Sequence, residues 1–288
     1  VKPHNRTILE GREIDIYLPE LKIGFEINGA LTHNSGFSRF GAKPKSRNYH
    51  SNKTEEALKA GVKLFHIWED YNQDILLSVI KAKLKVFDKT LYARKLCVKE
   101  VSWKEVNEFY QRTHLLGSTS STFSIALTDG NSIVQAVSVL INGEVAVITR
   151  NASELNTSVL GGFNRILKKI LIILKNRGVK KLITYAQRDL TPVAEDSIYS
   201  RAGFKFMYDA GPTLYYYVYR SFVSAEGKYY SKGIKNRQSF MKHKLSMFNG
   251  TKLNDRTVFN FDPDLTEQEN LSLLQIYPIY NSGCFKFE

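Results

Sequence analysis

Cysteine is scarce in this chain. Only Cys97 and Cys284 occur in 288 residues, far apart in sequence, which excludes a disulfide framework and a cysteine-based zinc site. That usage fits a reducing, cytoplasmic setting. Long apolar runs are also missing. None reaches the roughly 18–20 residues of a membrane span, and the longest candidate, residues 166–174, is broken by Lys168 and Lys169. No membrane partner is expected, and no signal-peptide pattern opens the chain. Negative charge is in deficit: 28 Asp and Glu stand against 41 Lys and Arg, a formal net charge of +13. Such a balance points to a polyanionic partner, with nucleic acid ahead of an anionic membrane surface. Repeats and low-complexity tracts are absent. What is plentiful is apolar matter, 43% of residues, which is enough for a sizeable core. The length suits one large domain or two ordinary ones with an appendage.

Three regions separate along the chain: 1–92, 93–222 and 223–288. In the first, residues 13–18 alternate like a strand ended by Pro19, and 21–27 read as a second strand before Gly29. A Gly/Ser/Lys/Arg-rich loop spans 34–48. Residues 52–59 look helical with Gly61 as a stop, 62–68 form an apolar strand, and 75–87 form an amphipathic helix. The second region starts with a strand at 93–101 and a helix at 103–114. Hairpin signals follow at Asp129-Gly130-Asn131 and Asn142-Gly143 between strands 123–127, 133–140 and 144–149. A long helix is expected over 161–176, then strands at 181–186 and 214–219. The third region is polar and basic as far as Arg256.

The chemistry-bearing residues of the first region lie close in sequence. Period-2 alternation puts Glu13, Asp15 and Tyr17 on one strand face. Glu26 follows in Phe25-Glu26-Ile27-Asn28-Gly29, where a carboxylate among apolar residues needs a partner or a metal. Two carboxylates on adjacent strands can share one Mg²⁺ through oxygen ligands, and such an ion can activate water against a phosphate. The alternative is a pair of strand-edge acids facing solvent. His33, and then His50 with Lys53 at helical i, i+3 spacing, add groups able to move protons and balance charge.

This run resembles the very-short-patch-repair endonucleases of the PD-(D/E)XK superfamily, and more closely the phage-borne homing endonucleases with such a core. The matching residues are Glu13 to Pro19, Glu26 to Gly29, Tyr49 to Thr54 and His66 to Asp70, while Asn5 and Arg6 meet the first motif only in part. The resemblance implies Asp15 and Glu26 as metal ligands and His33 as one active-site histidine. Asn28 stands where the other histidine and the motif lysine would fall, which makes Lys53 a migrated lysine. It also implies a further carboxylate, expected upstream of Val1.

The second region resembles GNAT acyltransferases in element order and in Tyr199-Ser200-Arg201-Ala202-Gly203-Phe204. The stretch Ser158-Val159-Leu160-Gly161-Gly162-Phe163 departs from the family's Arg/Gln-x-x-Gly-x-Gly/Ala at its first and last positions. No acetyl-CoA is therefore expected there, and no cofactor-binding residue is singled out. Lys168, Lys169, Lys175, Arg177, Lys180 and Lys181 suit DNA contact, or equally a solvated helix face.

The expected fold is mixed α/β: a restriction-endonuclease-like PD-(D/E)XK domain, a GNAT-like α/β domain and a small basic C-terminal segment. The expected function is a site-specific endonuclease on double-stranded DNA, using Mg²⁺ with Mn²⁺ as a substitute. Asp15 and Glu26 would hold the metal, and Lys53, His33 and His50 would assist. DNA contacts would come from Arg39, Lys43, Lys45 and Arg47, and from Lys228, Lys232, Lys235, Arg237, Lys242 and Lys244 interleaved with Tyr229, Tyr230, Phe240 and His243. The alternatives are an acyl-CoA-dependent N-acyltransferase and a non-catalytic DNA-binding protein with a degenerate nuclease domain.

Overall fold

The alternation in the first region becomes strands, as the residue pattern requires. The computed structural model describes residues 1–36, 43–130, 132–254 and 257–288. Strands β1 (Lys2–Leu9), β2 (Arg12–Leu18), β3 (Ile23–Asn28) and β4 (Lys63–Trp68) form one sheet in that order. The first two pairings are antiparallel and β3 runs parallel to β4. Pro19 opens a 3-10 turn, and Lys22, at φ 51°, turns the chain into β3. Gly24 is demanded by packing, since a Cβ there would lie 3.0 Å from both the Ile14 and Leu64 side chains. Helix α1 (Ala30–His33) follows β3. Helix α2 (Tyr49–Lys59) then buries His50, Lys53, Thr54 and Ala57 at i, i+3, i+4, i+7.

Helix α3 (Gln73–Lys83) is shorter than its apolar pattern suggests. The Asn72 side chain caps it from outside, accepting from Asp74 N and Ile75 N. Lys85 at φ 59° lets Val86 N reach Lys81 O, a Schellman-type ending. Residues 93–101, read as one strand, divide into a 3-10 turn (Ala93–Lys95) after β5 (Lys89–Tyr92) and a strand β6 (Cys97–Val101). Helix α4 (Trp103–Thr113) starts on a Ser102/Glu105 capping box. Strands β7 (Phe123–Asp129), β8 (Ser132–Asn142) and β9 (Val145–Ser153) form the meander expected from the turn signals. Strand β10 (Thr157–Leu160) pairs in parallel with β5, apart from the main sheet. Helix α5 (Gly162–Asn176), strand β11 (Lys181–Gln187), helix α6 (Ile198–Arg201) and strand β12 (Phe206–Asp209) follow. The main sheet has seven strands: β12, the C-terminal strand Cys284–Phe287, β11, β9, β8, β7, β6. Its central strands are covered on both faces. Phe123, Ile125 and Leu127 pack with Ile166 and Ile170 of α5, while Ala126 and Ala136 pack with Val106 and Phe109 of α4.

Strands β13 (Leu214–Val218), β16 (Gly233–Asn236) and β17 (Ile276–Tyr280) make a three-stranded sheet, with β14 (Phe222–Val223) and β15 (Tyr229–Tyr230) as a separate short pair. With helix α7 (Glu267–Leu273) they enclose Tyr216, Phe240, Phe248, Phe259 and Ile276. Strand β18 is the C-terminal strand Cys284–Phe287 already placed in the main sheet.

Two compact units result, neither continuous in sequence. Unit 1 is Val1–Asp70, Gln187–Val193 and Asp209–Cys284, and unit 2 is Tyr71–Ala186, Ala194–Tyr208 and Phe285–Glu288. No helix among the described residues is long and apolar enough to cross a membrane.

Candidate functional site

In unit 2 the main sheet opens between two parallel strands. Strands β9 and β11 pair only from Val145 with Lys181 to Ile148 with Thr184, although β9 continues to Ser153. A bulge bends β9 at the same place. Its partners on β8 are Val139 for Ile148 and Ser138 for Arg150, which leaves Thr149 as the extra residue. Beyond Ile148 the edge of β9 is therefore uncovered on the β11 side. The Thr184 hydroxyl bridges the last pair, 3.5 Å from Ile148 O, and the Tyr199 phenol hydrogen-bonds to Thr184. Tyr199 thus stands at the apex of the opening. Its ring is held at 5.5 Å from Phe163 and 5.9 Å from both Phe204 and Phe287. Burial pushes the Tyr199 phenol above its ordinary value, so the hydroxyl keeps its proton at neutral pH.

Helix α5 begins beside this opening. Gly161 adopts φ 73° and no side chain caps the helix, so the first N–H groups and the positive helix end are free of an internal acceptor. Gly162 is demanded by packing, since a Cβ there would run into the Gln135 amide oxygen and lie 2.8 Å from Val159. Gln135 is buried, and its Oε1 has no hydrogen-bond partner among the described residues. Phe163, the residue where the GNAT motif has Gly or Ala, turns into the core and away from the helix end. Gly162→Ala is expected to cost about 1–3 kcal/mol through overpacking, read as a lowered thermal midpoint. An unchanged midpoint would contradict the close packing at Gly162.

Unit 1 gathers the residues singled out in the first region. The Lys53 ammonium donates to Glu26 Oε1, and both side chains are buried. Asp15 Oδ2 accepts from Ile27 N at 2.6 Å. Burial pushes the Glu26 carboxyl up, against the pull of Lys53. The Thr54 hydroxyl donates to His50 O at 3.0 Å and lies 2.9 Å from His66 Nε2. Its one proton is thus spent, so His66 donates from Nε2 and accepts at Nδ1 from the Asn28 amide at 3.3 Å. His33 and His50 stack with centroids 5.1 Å apart. Glu26 Oε2, Asn28 Oδ1, His33 Nδ1 and both His50 ring nitrogens have no hydrogen-bond partner among the described residues.

The imidazoles make a pH prediction. Burial first, then neighbouring cations, lowers His33 to about 4 and His66 to about 3. In unit 2, burial and Arg150 lower His114 to about 3. Below pH 6.5 the unfolded chain takes up protons that these folded rings refuse, so stability is lost as pH falls from 6.5 toward 3–4. His66 alone should remove about 2 kcal/mol between pH 7 and pH 5. Urea midpoints measured at both pH values check this, and equal midpoints would refute it.

The expected DNA-contacting cations are largely engaged within the fold. Arg237 pairs with Glu267 at 2.9 Å, Lys242 Nζ donates to Pro263 O at 2.7 Å, and Lys244 Nζ donates to Gln238 O at 2.8 Å. Lys235 Nζ donates to Ser231 Oγ at 2.9 Å, and Lys228 lies over the Tyr230 ring at 5.2 Å. Lys45 lies over Tyr49 at 4.6 Å, and Arg47 over Tyr280 at 5.9 Å. Lys43 and Lys232 are not buried, and Arg39 lies outside the described residues.

No family model matches the sequence, and no curated protein matches it. Solved structures are similar to parts of the chain. The ribosomal-protein-alanine N-acetyltransferase of Escherichia coli is 14% identical over 46% of this chain and 88% of its own, with TM-score 0.34. A GNAT-family acetyltransferase from Elizabethkingia anophelis, with acetyl-CoA bound, is 14% identical over 48% and 94%, with TM-score 0.30. The N-acetylglutamate synthase of Neisseria gonorrhoeae, complexed with coenzyme A and L-arginine, is 11% identical over 64% and 48%, with TM-score 0.32.

These findings correct the expectation drawn from the first region. The structures to which the chain is similar are acetyltransferases, and two of these three hold acetyl-CoA or coenzyme A. The expectations of a Mg²⁺-dependent endonuclease, of double-stranded DNA as partner and of no acetyl-CoA are overturned. A very-short-patch-repair-like PD-(D/E)XK core finds no support among them. The Asp15–Glu26 pair expected to hold Mg²⁺ (or Mn²⁺) has one Glu26 oxygen bonded to Lys53 and one Asp15 oxygen bonded to Ile27 N. Among the described residues, the His/Cys/Asp/Glu group close enough to share an ion is His4, Glu13 and Asp15, without Glu26. What holds is a mixed α/β fold with a GNAT-like segment.

Residue patterns pointed to Tyr199 only through its place in Tyr-x-x-x-Gly-Phe. Nothing local signalled the Thr149 bulge, because a bulge is a property of the β8 pairing.

Proposed function

We propose that unit 2 is an acyl-CoA-dependent N-acyltransferase. The observation that carries this reading is the divergence of β9 from β11 with the protonated Tyr199 at its apex and the uncapped α5 beside it. The residues fit such a carrier. The free N–H groups at the start of α5 suit a diphosphate. The edge of β9 beyond Ile148 suits an extended, amide-bearing arm, which can add to it as a strand adds to a sheet edge.

Acyl-CoA, when bound, supplies an acyl group activated as a thioester. The first turn of α5 binds and orients the phosphates. Backbone groups of β9 after the Thr149 bulge align the arm. In the transfer an amine nitrogen would bond to the acyl carbon as the carbon–sulfur bond breaks. The Tyr199 hydroxyl, protonated at neutral pH, would give its proton to the departing sulfur as a general acid, and the proton lost by the nitrogen would restore it. The likeness to enzymes holding acetyl-CoA or coenzyme A sets the carrier to try first.

The test is calorimetry with coenzyme A on the whole chain, followed by thiol release from acetyl-CoA in the presence of a panel of amines. Binding with amine-dependent thiol release is expected. Absence of coenzyme A binding at millimolar concentration would sink the reading.

A further inference from the structure

The main sheet ends at β12, whose outer side pairs with no strand among the described residues. Its inner side is bound to the C-terminal strand. Lys205 N donates to Glu288 O at 2.8 Å, and Glu288 N donates to Lys205 O at 3.0 Å. Successive backbone groups of a strand point to opposite sides, so the N–H and C=O groups of Phe206 and Tyr208 are directed outward. Sheet edges in folded proteins are normally blunted by charge, proline or a bulge. Here Phe206, Met207 and Tyr208 stand in a row at the edge, 43%, 41% and 49% exposed. Phe206 is held in place by Phe285 and Phe287, at ring distances of 5.7 and 6.0 Å. The edge is thus apolar and already ordered for pairing.

The charges at its two ends identify the occupant. Lys205 precedes the apolar run and Asp209 closes it. When two such strands pair antiparallel about Met207, each Lys205 faces Asp209 of the other copy, each Phe206 faces Tyr208, and Met207 faces itself. The outward backbone groups of Phe206 then bond those of Tyr208 in the other copy. Aromatic cross-strand pairs and opposite charges both favour this register. An in-register parallel pair would set Lys205 against Lys205 and Asp209 against Asp209, and like charges directly opposite are destabilising. Arg188 and Gly211 N already hold the Asp209 carboxylate, at 2.7 and 2.8 Å, and each oxygen retains a lone pair for a further donor. A two-fold pairing closes on itself and stops at a dimer.

We propose that the outer edge of β12 is an interface for a second copy of this chain, joined antiparallel about Met207 into one continuous sheet. The dimer requires no coenzyme A and is tested without it.

The experiment is sedimentation equilibrium of the full chain from low to high micromolar concentration. The mass should rise from 32.9 kDa toward twice that value. Tyr208→Pro removes an outward N–H that the sheet does not use, a change that edge strands tolerate, and should abolish the rise. Lys205→Glu sets like charges across both ends of the seam and should weaken association by about 10-fold or more. Met207→Cys tests the register. A non-hydrogen-bonded antiparallel pair has Cα atoms about 4.5 Å apart, within the span of a disulfide. Mild oxidation of Met207→Cys on a Cys97→Ser background should therefore give a covalent dimer, and the background alone should not. A chain that sediments as a monomer throughout would overturn the interface. A dimer that keeps its affinity in both edge variants, or that gives no crosslink, would place the contact elsewhere and overturn it too. Circular dichroism checks that each variant is folded, and if Tyr208→Pro is not, Lys205→Glu and the crosslink decide.

Discussion

Tyr199→Phe is expected to slow acyl transfer by about 10²- to 10⁴-fold, the usual contribution of a positioned general acid. The phenol sits where β9 and β11 part, hydrogen-bonded to Thr184. Phenylalanine keeps the ring that packs against Phe163, Phe204 and Phe287 and removes only the hydroxyl. The affinity for coenzyme A should therefore be unchanged, because the proposed carrier site is formed by α5 and the β9 edge. The loss should appear in kcat, with KM for acetyl-CoA conserved. A variant within about threefold of the parent rate would remove Tyr199 from the chemistry. Loss of coenzyme A binding along with the rate would instead mean that the hydroxyl supports the cleft itself.

Lys53→Met is expected to destabilise unit 1 by about 3–5 kcal/mol, the usual cost of stranding one partner of a buried ion pair. Glu26 is 4% exposed and Lys53 3% exposed. Without the ammonium, the Glu26 carboxylate has no charge partner and must take up a proton to remain inside. The double variant Lys53→Met/Glu26→Leu should recover most of the loss, since apolar residues of similar volume can replace a buried pair at little cost. Denaturant unfolding of the two single variants and the double one closes the cycle. Additive losses would show that the pair is not energetically coupled.

Much of the secondary structure was legible because it is written in local periodicity. Residues 13–18 alternate, Asn142-Gly143 closes a hairpin, and the 166, 167, 170, 174 spacing in α5 marks its buried face. Strand β1 was not legible. Its sequence KPHNRTIL is exposed along most of its length, so no apolar period marks it, and it owes its form to pairing with β2. Helix α3 ended early because Lys85 took a left-handed conformation, which an amphipathic pattern does not register.

The candidate site divides in the same way. Glu26, Lys53, His33 and His50 were visible as chemistry-bearing residues, but a carboxylate in an apolar strand has two remedies, a metal or a cation. Helix α2 supplies the cation, since its turn carries the Lys53 ammonium onto Glu26 from 27 residues away. Charge misled in a related manner. The excess of cations is a true property of the chain, yet Arg237, Lys242 and Lys244 spend donors on Glu267, Pro263 and Gln238.

By itself the amino-acid sequence determined the charge, the local elements, the helix faces and the residue types on hand. The tertiary structure decided which of them meet. The cleft of unit 2 exists because parallel strands more than 30 residues apart pair for four positions and then part. Such a register is set by packing across the whole sheet, and a local run of side chains carries no record of it.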